Sequence, residues 1–213
     1  MRIDIETIRP FSLIFLIIVI IYLKIRKRKH NSYLMFFSLF YFYIVHVIGY
    51  TIFPLWFDKE LIEIFRKEGN LMSGINFIPL KGIYIKGVNE IQLIGNIIIT
   101  IPFGFGLPFI VKNNFKSIMR RGLFFALSIE ILQFLISIFY GFSYRSVDIN
   151  DILLNLIGIA IGFSIFRLLS KIYQKFCESS EEKGPFWSYL HFVFTGHASE
   201  EQQTNRKSPH NGV

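Results

Sequence analysis

Cysteine is almost absent from this chain. Cys177 stands alone among 213 residues, which excludes a disulfide framework and a cysteine-held metal cluster. A histidine-rich ligand set and a nucleophile motif are missing too, so no metal or cofactor is expected. The net charge is +8, yet no basic run is interleaved with aromatics on a groove-reading element, and nucleic acid is excluded as a partner. The first apolar segment has no small-residue cleavage site after it, and its basic cluster follows the apolar stretch instead of preceding it. That order predicts an uncleaved anchor, not a signal peptide. No repeat of solenoid type is visible.

Apolar sequence is what the chain has in abundance. Hydrophobic residues make up 52% of it and Phe occurs 25 times, with a mean hydropathy of +0.45. Crossing a hydrocarbon core about 30 Å thick takes roughly 20 mostly apolar residues. The pattern predicts an all-α polytopic membrane protein with about five spans, at residues 10–25, 32–57, 88–111, 118–140 and 151–173. Basic residues orient them. Lys24, Arg26, Lys27, Arg28 and Lys29 follow the first span; Lys112, Lys116, Arg120 and Arg121 lie between the third and fourth. These short loops are two crossings apart, so they share a side, and the positive-inside rule makes it cytoplasmic. The N-terminus is then outside. The C-terminal tail, with Lys171, Lys175 and Lys183, is inside, where Cys177 stays reduced. The excess positive charge also suits anionic lipid at the inner leaflet.

Residues 1–176 read as one membrane domain and 177–213 as a cytoplasmic tail, partly disordered. In the tail, Glu178 to Pro185 reads as a linker and Ser199 to Val213 as too polar to order. Between them Phe186 to Phe194 is aromatic but too short to span, and suits an interface or a partner contact. The outer loops are 58–87, which holds the apolar island Asn76-Phe77-Ile78-Pro79-Leu80, and 141–150.

Polar groups inside the apolar runs carry the candidate chemistry. Read as one helix, Asp148, Asp151, Asn155, Gly158 and Gly162 step by three or four residues and share a face. At about 1.5 Å per residue, Glu130 lies about 16 Å below the outer surface, near the midplane, and Gln133 is one turn above it on the same face. An ionisable group at that depth points to function; the structural alternative is a hydrogen-bonded packing residue. Pro102, with Gly104 and Gly106 close behind, predicts a break in the third helix, and Gly95-Asn96 lies above it. Freed backbone near the midplane suits a binding site, while a packing kink is the plainer explanation. Gly158 and Gly162 are spaced for close helix packing. Arg145 can fork onto a phosphate or a carboxylate, and Asp148 and Asp151 complement a helix N-terminus. His46 and Tyr50 read as packing residues.

Four ordered blocks, Asn76-Phe-Ile-Pro79; Gly95-Asn96 with Pro102-Phe103-Gly104 and Leu107-Pro108; Ser128-x-Glu130-x-x-Gln133; and Arg145-Ser-Val-Asp148-x-x-Asp151-x-x-x-Asn155-x-x-Gly158, resemble the VanZ family over about residues 30–170. The family's pattern in the second span is only approximated by Tyr50-Thr51-Ile52-Phe53-Pro54, so nothing carries over to His46. The resemblance implies a small polytopic protein of the bacterial plasma membrane, linked to resistance against the glycopeptide teicoplanin. The expected function is binding of an extracytoplasmic amphipathic ligand, a lipid-linked cell-wall precursor or a lipoglycopeptide, at an outward-facing polar site. That site comprises Glu130, Gln133, Arg145, Asp148, Asp151, Asn155, Asn96 and Asn76, framed by Pro79, Gly95, Pro102, Gly104, Gly158 and Gly162. A small proton-coupled transporter or lipid flippase is the alternative; a membrane enzyme acting on lipid phosphates is third. Membrane lipids are the other expected partners, and no oligomeric state is implied.

Overall fold

The computed structural model describes residues 2–80, 89–111, 114–177 and 184–206. The expected start of the third span at Val88, together with Lys112, Lys183, most of the linker after Glu178 and the last seven residues, lies outside the described residues. The chain runs β1 (Arg2–Ile3), α1 (Ile5–Ile25), α2 (Asn31–Ile52), β2 (Leu55–Trp56), α3 (Lys59–Glu68), β3 (Ile75–Asn76), α4 (Asn89–Gly106), α5 (Phe115–Tyr140), β4 (Val147–Asp148), α6 (Ile149–Cys177) and α7 (Pro185–Arg206).

Four helices, α1, α2, α5 and α6, are long and apolar enough to cross a membrane. The third of the five expected spans is α4, whose apolar stretch, Leu93–Phe109, is shorter. Local chemistry sets the ends. Asn114 caps α5 by accepting from the Ser117 amide at 3.0 Å, and Gly141 ends it with φ +78°, a left-handed turn that glycine adopts without steric cost. Helix α2 stops at Ile52, short of the expected boundary, because a residue before proline is disfavoured in the helical region. The chain then leaves as β2, which pairs antiparallel with β1, Arg2 opposite Trp56.

The stretch 58–87, read from sequence as loop, contains a helix. Asp58 accepts from the Leu61 amide at 3.2 Å and starts α3; Leu61 and Ile62 are its least exposed positions. After it, β3 pairs parallel with β4, Ile75 opposite Val147 and Asn76 opposite Asp148. Asp148 therefore stands in a short strand ahead of α6, not on the helix face with Asp151.

The closest helix pair is α4 with α6. A Cβ added to Gly158, Gly162 or Gly104 would collide with the carbonyl of Ile97, Ile101 or Ile159 respectively, so the two backbones touch. Thr100, wholly buried, donates across this seam to the Asn155 carbonyl at 3.0 Å. The expected break at Pro102 is absent: α4 continues through Pro102 and tightens only at the turn Leu107–Phe109. Pro102 is exposed on the outer side of α4. The proline still removes the amide that would bond the Ile98 carbonyl. Neighbouring groups support this stretch, the Tyr43 hydroxyl donating to the Ile99 carbonyl at 2.7 Å, as membrane helices allow.

At the far end of the bundle α7 folds back onto the helices. Val193 is buried, and Phe194 packs on Phe109, Phe166 and Tyr173 with ring centroids 5.8, 5.7 and 5.1 Å away. Helix α7 runs to Arg206, through part of the stretch expected to be disordered from Ser199. Glu200, Glu201, Gln202 and Gln203 are good helix formers, and propensity extends a helix that packing has started.

Candidate functional site

Helix α5 carries one buried face in steps of three or four residues: Glu130, Gln133, Ser137 and Tyr140. Glu130 is 5% exposed. Its Oε2 accepts from the Asp148 amide at 3.1 Å, which joins α5 to β4. Asp148 Oδ1 in turn accepts from Asn76 Nδ2 at 2.9 Å and from the Asn150 amide at 2.8 Å. Asn96 Nδ2 donates to Asp151 Oδ1 at 2.5 Å, tying α4 to the first turn of α6. Both aspartates lie within electrostatic range of Glu130. Five elements, β3, α4, α5, β4 and α6, thus converge on three carboxylates and two asparagines.

The other expected residues take separate places. Gln133 Nε2 donates to the Thr51 carbonyl on α2 at 3.1 Å, and its buried Oε1 has no donor among the described residues. Arg145 donates to the Phe53 carbonyl at 2.7 Å, its guanidinium 5.8 Å from the centre of the Tyr144 ring; it goes to a carbonyl, not to either aspartate. Asn155 is buried in the α4–α6 seam. Pro79 and Pro102 are exposed, and nothing lies within 4 Å of a Cβ placed on Gly95. Those three stand apart from the cluster; Gly104, Gly158 and Gly162 serve the seam. Among the described residues His46 bonds only within its own helix, to the Phe42 carbonyl at 2.7 Å.

Several residues of this end escaped the sequence reading. Asn150, 3% exposed, accepts from the Leu80 amide at 2.7 Å and so pins the Asn76–Leu80 island to α6. Ser137 Oγ accepts from the Tyr144 amide at 3.3 Å. Tyr140 exchanges two 2.9 Å bonds with the backbone of Trp56, and the Tyr144 hydroxyl donates to the Pro54 carbonyl. Burial holds the Tyr144 hydroxyl above its ordinary pKa of 10, with Arg145 beside it pulling the other way. Ser137 and Tyr140 did carry a signal, since both extend the helical face of Glu130 and Gln133.

Beside these rings lies a cavity of about 720 Å³ between α3 and the α5–α6 turn, walled by Trp56, Ile62, Phe65, Tyr140, Phe142 and Tyr144. Both tyrosine hydroxyls already donate to carbonyls, so the rings offer mainly apolar surface to it. This end of the bundle thus holds an acceptor-rich polar cluster and, walled by other residues, an aromatic cavity of the size that takes small molecules. Among the described residues no group of three or more His, Cys, Asp and Glu side chains is placed to hold a metal ion.

No curated protein and no solved structure matches the chain. A family model described as VanZ/LLP1 matches residues 40–170, more than half of the chain. The match takes in every residue of the carboxylate cluster and both sides of the glycine seam, and leaves out α1 and α7. The chain is a membrane protein of the VanZ/LLP1 family.

Proposed function

We propose that this protein lies in a bacterial plasma membrane with its N-terminus outside and its C-terminus inside, and binds an extracytoplasmic amphipathic ligand at the end of the bundle that holds Glu130, Asp148 and Asp151. A lipid-linked cell-wall precursor or a lipoglycopeptide has the required chemistry, which would link the protein to glycopeptide resistance. The observation that carries this reading is the placing of a polar, acceptor-rich cluster and an aromatic cavity along one face of α5. A carboxylate offers about four lone-pair sites. Glu130 accepts one bond and Asp148 two, so acceptor capacity remains for the hydroxyl or ammonium groups of a ligand, while the rings suit its apolar part.

The test is a deletion strain profiled against wall-active antibiotics and complemented with E130Q and D148N. Either amide keeps an oxygen to accept the amide bonds that hold the loop, and removes the ionisable carboxyl. The expected result is normal insertion with the susceptibility of the deletion strain. Wild-type resistance in both variants would sink the reading. A transporter or flippase driven by protons would use the same Glu130; transport in proteoliposomes that responds to a pH gradient and fails in E130Q would favour it over simple binding.

A further inference from the structure

A second groove, of about 560 Å³, opens between α4 and α5, away from the carboxylate cluster. Phe103, Leu107, Phe124 and Phe125 form its apolar walls, and Arg120 and Arg121 line it as well. Phe103 and Phe125 stack at 4.6 Å and make an apolar floor. Ser128 lines the deeper part, its hydroxyl donating to the Phe124 carbonyl at 2.7 Å. Arg120 and Arg121 are exposed, and among the described residues neither makes a hydrogen bond or an ion pair.

Helix length places these groups in depth. The 26 residues of α5 rise about 39 Å, some 9 Å more than a hydrocarbon core about 30 Å thick. With Tyr140 at one boundary, Arg120 and Arg121 fall at the other, among the lipid headgroups. Phe124 and Ser128 lie about 6 and 12 Å deeper than Arg120. Two guanidiniums therefore sit at phosphate level directly above an apolar slot inside the acyl region.

We infer that this groove is a binding site for one anionic phospholipid, its phosphate held by Arg120 and Arg121 and an acyl chain lying between Phe124 and the Phe103–Phe125 pair. Arginine forks onto phosphate oxygens, and a pair of them at the headgroup level selects anionic over zwitterionic lipid. An adjacent slot for the chain separates this from a site for free phosphate, which has nothing to place there.

The test uses the full chain, purified in mild detergent and observed by native mass spectrometry with phosphatidylglycerol or phosphatidylcholine added. One phosphatidylglycerol per chain should be retained in preference to phosphatidylcholine. The R120Q/R121Q variant should weaken that retention about 30-fold, at roughly fivefold per arginine. Because neither side chain bonds elsewhere, its thermal midpoint should match the wild type. S128F, which fills the slot and leaves both arginines, should weaken retention as well, and millimolar inorganic phosphate should displace no lipid. Equal retention of the two lipids, undiminished binding in R120Q/R121Q, or displacement by phosphate alone would overturn the assignment.

Discussion

At one end of the bundle the chain is held by side chains bonding to backbone: Glu130 to the Asp148 amide, Asn150 to the Leu80 amide, Arg145 to the Phe53 carbonyl, Tyr140 to Trp56. At the other end Phe36, Phe109, Phe166 and Phe194 pack ring against ring, stacked, edge-on and tilted, and α7 closes over them. The first end is specified by direction, since each hydrogen bond has a donor, an acceptor and an angle. The second is specified by volume, since rings need only fill space. A protein that must present polar groups near lipid gains positioned acceptors from the first arrangement and a firm base from the second. The family match covers the polar end and stops before α7.

Phe166→Ala is the strongest way to break this contrast. Phe166 is wholly buried against Phe109, Phe163 and Phe194, and its removal leaves a void that costs roughly 3–5 kcal/mol. The loss should appear in denaturation of the detergent-solubilised protein, while any protein that remains folded keeps wild-type susceptibility in cells. A drop in resistance without a drop in stability would show that the ring end takes part in function.

The polar end predicts the reverse pattern. Asp148→Ala strips the acceptor from Asn76 and from the Asn150 amide, at roughly 2 kcal/mol. Asp148→Asn keeps an oxygen for both and should stay within about 0.5 kcal/mol of wild type, yet abolish complementation. If Asp148→Asn complements like the wild type while Asp148→Ala does not, Asp148 acts only as a loop fastener and the comparison collapses.

The smallest effect belongs to Tyr144→Phe. It loses the bond to the Pro54 carbonyl, about 1 kcal/mol. The folded hydroxyl is held above its ordinary 10. Its share of stability is therefore complete below pH 10 and falls away as pH climbs through the higher folded value. The wild type should lose stability over that alkaline range more steeply than Tyr144→Phe, as read from unfolding curves at pH 8 and pH 11.

Composition made the apolar helices legible, and the ionisable Glu130 inside an apolar run is buried within the protein. Gly158 and Gly162 showed their packing role because close helix approach has a spacing. Other features left weaker marks. Pro102 suggested a broken helix, but one missing amide is tolerated when the ring faces outward and the neighbouring carbonyl at Ile99 gains a donor from Tyr43. Thr100 carried no signal, since one hydroxyl in an apolar run does not show which carbonyl it will meet. Helix α3 was there to be read: Asp58 is a capping residue and Leu61, Ile62 and Phe65 repeat at helical spacing, but its 10 residues are too few to stand out beside longer runs. The pairing of Asn76 with Asp148 depends on two strands far apart in sequence, which no local pattern encodes.

The contact of α4 and α6, backbone against backbone, has a consequence for the acids above it. Neither helix can slide along the other without carbonyls running into α-carbons. A slip of one residue would move a helix by about 1.5 Å, enough to part Asn96 from Asp151, now bonded at 2.5 Å. The three glycines thus act as a ruler, setting from deep in the bundle the spacing between groups they never touch, and sensitivity to substitution extends down that ruler well beyond the last charged residue.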